Sequence, residues 1–245
     1  MSQDEEKRLA LRAELVETIA AHKEGFASGT PESKRINEVI DELAALTPYP
    51  RALDHVDVYG GHWAGEYYNF GRLVGGDGTT DQGTGVTTTL KAFSMGRMPD
   101  VPATHAGSAL EIDPQNGIYN FYGRLLVGEA QIDSHHFTYG RFECKDEHPD
   151  RFNVLFDKFE IAPVDSTMSV EAYCKATGID SPSDLVAELS PSPKLYSDIA
   201  YMDDHMRIQL GQLGGHYIMF RKDAPLYSIE HAKGNAINPP AFPAT

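Results

Sequence analysis

Ten histidines are scattered through the chain, and only His135 and His136 adjoin. Neighbours on a strand point to opposite faces, so this pair alone cannot present two ligands to one metal ion. His148 sits beside Asp146 and Glu147 in a polar stretch, where a metal would need further ligands and supporting hydrogen bonds to converge. The run Asp77-Gly78-Thr79-Thr80-Asp81 offers oxygen ligands but lacks the length and terminal Glu of an EF-hand loop. The glycines between Gly71 and Gly85 are not followed by the Gly-Lys-Ser/Thr of a phosphate loop, and no Gly-x-Ser-x-Gly elbow occurs. Neither Cys144 nor Cys174 has the helix-terminal, basic setting of a nucleophilic thiolate. No metal or cofactor is expected, and no catalytic residue is assigned.

Aromatic and charged residues inside strand-like runs are the other source of chemistry. Tyr67, Tyr68, Phe70, Tyr119, Phe121, Tyr122, Phe137, Tyr139, Phe142, Phe156, Tyr217 and Phe220 alternate through such runs. Half of them should face inward and form an aromatic pocket. The expected ligand-lining set is Trp63, Tyr67, Tyr68, Tyr119, Phe121, Arg124, His135, Phe137, Arg207 and Tyr217. Arg72, Arg124, Arg141 and Glu66 also fall within strands; pointing inward, each would need a partner or an anionic head group, whereas alternation equally allows them to face solvent. An inward Arg or His with a Tyr in a dry interior could perform general acid–base work, such as steering a cyclisation or isomerisation.

These residues require a sheet to hold them. The stretch from Tyr201 to Arg221 reads as two alternating runs about a Gly-rich turn: Met206, Ile208 and Leu210 oppose Arg207 and Gln209, and His216, Ile218 and Phe220 oppose Tyr217, Met219 and Arg221. An arginine on each strand suits a barrel with a polar anchor inside. Further strands are expected over 56–63, 65–73, 85–93, 105–112, Ile118–Val127, 131–144, 151–161 and 196–201. About eight to ten strands would close a barrel just wide enough for one small ligand. Ahead of them, residues from about Asp4 to Gly25 read as a helix with Leu11, Leu15 and Ile19 on one stripe, widened by Leu9, Val16 and Ala20. A second helix starts at Thr30-Pro31-Glu32, with Ile36, Val39, Ile40, Leu43 and Leu46 on its apolar face, and ends before Pro48 and Pro50. This pair could cover one end of a barrel or serve as a dimerisation arm. A helical insertion over about 164–194, with starts near Ser169 and at Ser181-Pro182-Asp184, could be a lid or plug or merely outer packing. The expected division is a helical pair over 1–50, a barrel over 51–225 and an irregular Pro-rich tail over 226–245.

A chain of 245 residues with 41% hydrophobic content supports one globule with a sizeable core. Its formal charge of -15 argues against nucleic acid and anionic membrane surfaces as partners. No apolar run approaches the ~18–20 residues of a membrane span. The acidic start MSQDEEKRLALRAELVETIA has neither the pattern of a secretory signal nor that of a transit peptide, so the expected compartment is the cytoplasm unless a targeting segment has been removed. Two cysteines allow one disulfide, though reduced thiols are the expectation for a cytosolic chain.

Several of these stretches resemble the plastid lipid-associated proteins, or fibrillins. Tyr201, Asp203, Asp204, Arg207 and Ile208 with Gly214 and Gly215 match that family's Tyr-x-Asp-Asp-x-x-Arg-Ile run and Gly-rich turn. Leu46-Thr47-Pro48, then Trp63, Tyr67 and Tyr68, match its helix end and first strand; Arg151, Val154, Phe156, Phe159 and Pro163 match a middle strand. Gly61-His62-Trp63 is also similar to the Gly-x-Trp of lipocalins, where the indole closes the barrel floor under an arginine, here Arg207 or Arg221. The loop from Gly75 to Gly85 and the region around His135 lie outside the resemblance. It implies a mainly β, lipocalin-like antiparallel β-barrel holding a hydrophobic small molecule, such as an isoprenoid, a pigment or a fatty acid. The alternative is a barrel enzyme that cyclises or isomerises an apolar biosynthetic intermediate; a weaker third reading is an interaction module, with a possible homo-oligomer. Fold alone does not choose between carriage and catalysis.

Overall fold

The computed structural model describes residues 2–21, 26–27, 30–69, 80–81, 87–190, 192, 194–212 and 215–223. Eight antiparallel strands form a closed barrel: β1 (Gly61–Asn69), β2 (Pro102–Asp113), β3 (Ile118–Val127), β4 (Ile132–Lys145), β5 (His148–Pro163), β6 (Lys194–Met202), β7 (Met206–Gly211) and β8 (His216–Lys222). Each pairs with the next in sequence, and β8 returns to β1, with Arg221 opposite Trp63, to close the cylinder. The mainly β expectation holds, and the strand over Ile118–Val127 has the bounds read from the sequence.

Other elements differ from their sequence reading. Residues 56–59 form a short helix, α3 (Val56–Tyr59), and the strand begins only at Gly61, whose φ of 105° breaks the helical path. Of the strand read over 85–93, residues 85 and 86 lie outside the described residues, Thr87–Thr89 is strand, and the Thr89 hydroxyl then caps α4 (Leu90–Phe93) by accepting from the Ala92 amide. In the late insertion, Ser169 caps α5 (Val170–Thr177), but Pro182–Leu185 is only a 3-10 turn leading to a short strand, Val186–Glu188, beside β5.

The helices before the barrel are α1 (Gln3–Ala21) and α2 (Pro31–Ala44). Gly25, read as the stop of α1, lies outside the described residues. Thr30 caps α2 by accepting from the Ser33 amide at 3.3 Å. Leu11, Leu15 and Ile19 of α1 and Ile36, Val39, Ile40 and Leu43 of α2 pack with Tyr67, Tyr201, Met206, Ile208 and Ile218. Those barrel residues point outward, so the pair covers the outer wall of β1 and β6–β8 and not an end. Leu9 and Val16, each 43% exposed, turn away from that contact. Asp203 pins α1 down: its carboxylate accepts from Arg12 at 2.9 Å, Tyr201 at 2.5 Å and the amides of His205 and Met206 at 2.8 Å.

Inside, two apolar layers fill the barrel. The lower one gathers Leu53, Tyr59, Trp63, Leu110, Ile112, Tyr119, Phe152, Val154, Ile199, Met202 and Met219. The upper one lies against the taller wall made by β2–β5, where α4 and α5 bring Leu90, Tyr173 and Cys174 onto Leu125, Val127, Phe159 and Ile161. The Tyr173 hydroxyl donates to Ser134 at 2.7 Å, so α5 plugs this side of the barrel instead of packing on its exterior. Cys144 is exposed and Cys174 buried, both as free thiols. No helix among the described residues is long and apolar enough to cross a membrane.

Candidate functional site

The floor is built around Trp63, which is fully buried. Arg207 and Arg221 both place their guanidiniums over its ring, at 4.9 and 4.6 Å from the centroid. The arginines alternate inward from β7 and β8, while the preceding helix α3 supplies the carbonyls they need. Arg207 Nη1 donates to Tyr59 at 3.3 Å, and Arg221 donates to Gly60 at 3.2 Å and also to Val58. Arg207 is wholly enclosed, and burial lowers its pKa to about 10, still protonated at neutral pH. Its Nη2 donates to Gln209, whose amide in turn reaches the Tyr119 hydroxyl at 3.1 Å and Ser197 at 2.9 Å.

Above this floor lies a cavity of about 120 Å³. Its depth is lined by Tyr119, Val154, Ser197, Tyr217 and Met219, its flank by Phe93, Phe121, His136, Thr138 and Phe156, and its mouth by Met95, Leu195, Tyr196, Gly211, Gln212 and Gly215. The lining is mainly apolar and aromatic. Comparable room in an apolar cavity, about 150 Å³, is known to accept benzene. Burial raises the pKa of the Tyr119 and Tyr217 hydroxyls, so both stay protonated at neutral pH.

His136 is the titratable group on the flank. Its ring stacks on Phe159 with centroids 5.6 Å apart and lies near Phe93 and Phe121. It fits only because its strand partner is glycine: a Cβ on Gly123 would come within 2.2 Å of Nε2. Neither ring nitrogen has a hydrogen-bond partner among the described residues. Burial first, then the neighbouring His105 and His135, depresses its pKa to about 3, so the imidazole is neutral.

The structure divides the expected ligand-lining residues. Tyr119, Phe121 and Tyr217 line the cavity; Trp63 and Arg207 lie in the floor behind it. Four face outward, contrary to expectation. Tyr67 packs beneath the N-terminal helices, because the register shift between Ile218 and Met219 reverses its side. Arg124 forms a bidentate pair with Asp133. His135 and Phe137 belong to the outer face of β4, where Phe137 meets Tyr122 edge-on at 5.4 Å. The side chain of Tyr68 lies outside the described residues, as do Phe70 and Arg72; only the backbone pairing of Tyr68 with Tyr217 is described. Arg141 is paired with Asp157 on the exposed side.

His136, Thr138 and Ser197 in the cavity wall, and Gln209 beneath it, stand outside the expected set. Period-two alternation carries a signal for each, since Arg207 and Gln209 share a face and His136 and Thr138 oppose His135 and Phe137. Among the described residues no three His, Cys, Asp or Glu side chains come together as a metal site. Comparison of the chain with models of protein families and with curated proteins finds no match.

Proposed function

We propose that this chain binds a hydrophobic small molecule inside its barrel. The observation that carries the reading is the apolar cavity of about 120 Å³ held open above a buried, hydrogen-bonded floor. A well-packed interior leaves few voids larger than a water molecule, so a space this size lined by aromatic rings calls for an occupant. The volume suits a ring-sized or short-chain group. A longer isoprenoid, pigment or fatty acid would place one end in the cavity and extend through the mouth beside Gly211 and Gly215. The fibrillin resemblance supports the same reading and remains a proposal alongside it.

The test is extraction of the purified protein with organic solvent and identification of what is released by mass spectrometry, followed by retention of added apolar compounds. Recovery of a stoichiometric apolar compound is expected. No recovered compound and no retention would overturn the carrier reading.

His136 favours a second reading. A neutral imidazole with no hydrogen-bond partner among the described residues, in the wall of a mainly apolar cavity that also presents the Tyr119 hydroxyl, has the components of acid–base chemistry. An isomerisation or cyclisation of an apolar substrate would then run in this cavity. Turnover abolished by His136→Gln with binding intact would establish it; equal fates of the bound compound in the two proteins would exclude His136 from chemistry.

A further inference from the structure

The floor of the cavity has more hydrogen-bond donors than acceptors. Arg207 gives Nη2 to Oε1 of Gln209, and that bond fixes which way the amide points. Its Nε2 then donates to the oxygens of both Tyr119, at 3.1 Å, and Ser197, at 2.9 Å, using both amide protons. Tyr119 and Ser197 each line the cavity, and each still carries one O–H proton. One of those protons can pass between the two hydroxyls. The other has no acceptor among the described residues.

Charge acts in the same direction. No carboxylate pairs with Arg207 or Arg221 among the described residues; apart from Gln209 and the Tyr119 hydroxyl, which also lies within reach of Arg207, the guanidiniums give their hydrogen bonds to backbone carbonyls. His136 is neutral and adds no compensating charge. In a protein of formal charge -15, the base of this cavity is a local pocket of positive potential. A buried cation without a counter-charge is costly to maintain, and an anion arriving from the cavity would offset that cost.

Building on the carrier reading, we infer that the ligand carries an oxygen acceptor, a carboxylate in preference to a neutral carbonyl, which seats against the Tyr119 and Ser197 hydroxyls while its apolar body fills the cavity above. Arg207 acts through Gln209 and does not touch the ligand, which makes it a positioning residue. Tyr119 and Ser197 make the contact.

Three compounds of one skeleton test this: phenylacetate, phenylacetone and ethylbenzene, titrated into the full-length protein and followed by protein-observed NMR. The expected order is acid tightest, then ketone, then hydrocarbon, with at least a tenfold gap between the extremes. Tyr119→Phe and Ser197→Ala should each weaken phenylacetate by about tenfold, the scale of one hydrogen bond to a charged group, and leave ethylbenzene within about twofold. Equal affinity for acid and hydrocarbon would overturn the inference and leave the carrier reading standing, as would variants that weaken all three compounds alike. Failure of all three to bind would count against both. Should either variant misfold, the ranking on the unaltered protein still decides.

Discussion

The indole of Trp63 donates to the carbonyl of Tyr59 at 3.1 Å, and the same oxygen accepts from Arg207 at 3.3 Å. One carbonyl of a four-residue helix thus holds both the ring that floors the barrel and a cation lying over that ring. Replacing Arg207 by Ala should lose the cation–π contact, strand Gln209 and leave a void. The expected cost is roughly 3 kcal/mol, read as a lower urea midpoint. Arg207→Met, which keeps the volume and removes the charge, should cost far less, because an unpaired buried cation contributes little net stability. A Met variant as unstable as the Ala variant would mean the charge itself holds the floor together.

Asp203 joins α1 to the barrel through Arg12 while ordering the β6–β7 turn. Asp203→Ala should destabilise by about 2–3 kcal/mol, since it removes a charge-assisted pair and orphans two turn amides. Hydrogen exchange should quicken in α1 and at Met206. Arg12→Ala loses only the inter-element bond and should cost less than half as much, with exchange in the turn unchanged.

Two buried histidines set the acid limb of stability. The pKa of His136 lies at about 3 and that of His105 at about 4, both lowered chiefly by burial, against about 6.5 in an unfolded chain. Between about pH 6.5 and pH 4 the unfolded chain takes up protons that the folded one refuses, so stability falls as pH falls through that window. Each histidine should contribute on the order of 2 kcal/mol of loss between pH 6.5 and pH 5. His136→Leu should flatten the fall in urea midpoint with pH; an unchanged slope would show that the imidazole is not the group titrating.

Filling the cavity separates binding from folding. Val154 lines it from β5, and Val154→Phe would project a ring into the space a ligand would use. Retention of an added apolar compound should drop at least tenfold, while the unfolding free energy from urea titration stays within about 1 kcal/mol of the parent. Retention unaffected by this substitution would place the binding site elsewhere.

Much of this arrangement can be read from residue order, and the failures have physical causes. The β7–β8 hairpin was legible because its two faces differ sharply in polarity: Arg207 and Gln209 against Met206, Ile208 and Leu210. The opposite holds along β4, where His135 and Phe137 on one face and His136 and Thr138 on the other are both buried. Alternation there has no polar phase marker, and the outward aromatic face of Tyr122, Phe137 and Tyr139 imitates a lining. Bulges between Tyr139 and Gly140 and between His105 and Gly107 then reverse the phase partway along long strands, which a period-two count cannot follow. The helix at Val56–Tyr59 was hidden because its β-branched and aromatic residues favour a strand, and its role in presenting carbonyl acceptors to two distant arginines is a tertiary property.

That division of labour has a temporal side. The carbonyls that bear the floor leave the ribosome about 150 residues before the guanidiniums that grip them, given sequence separations of 148 and 161. A nascent chain halted short of β7 owns the stopper but nothing to fasten it with, so its aromatic interior is open from below. Sealing must therefore be among the last events of assembly, and any guest that enters through the base has to do so before the two guanidiniums close on those carbonyls.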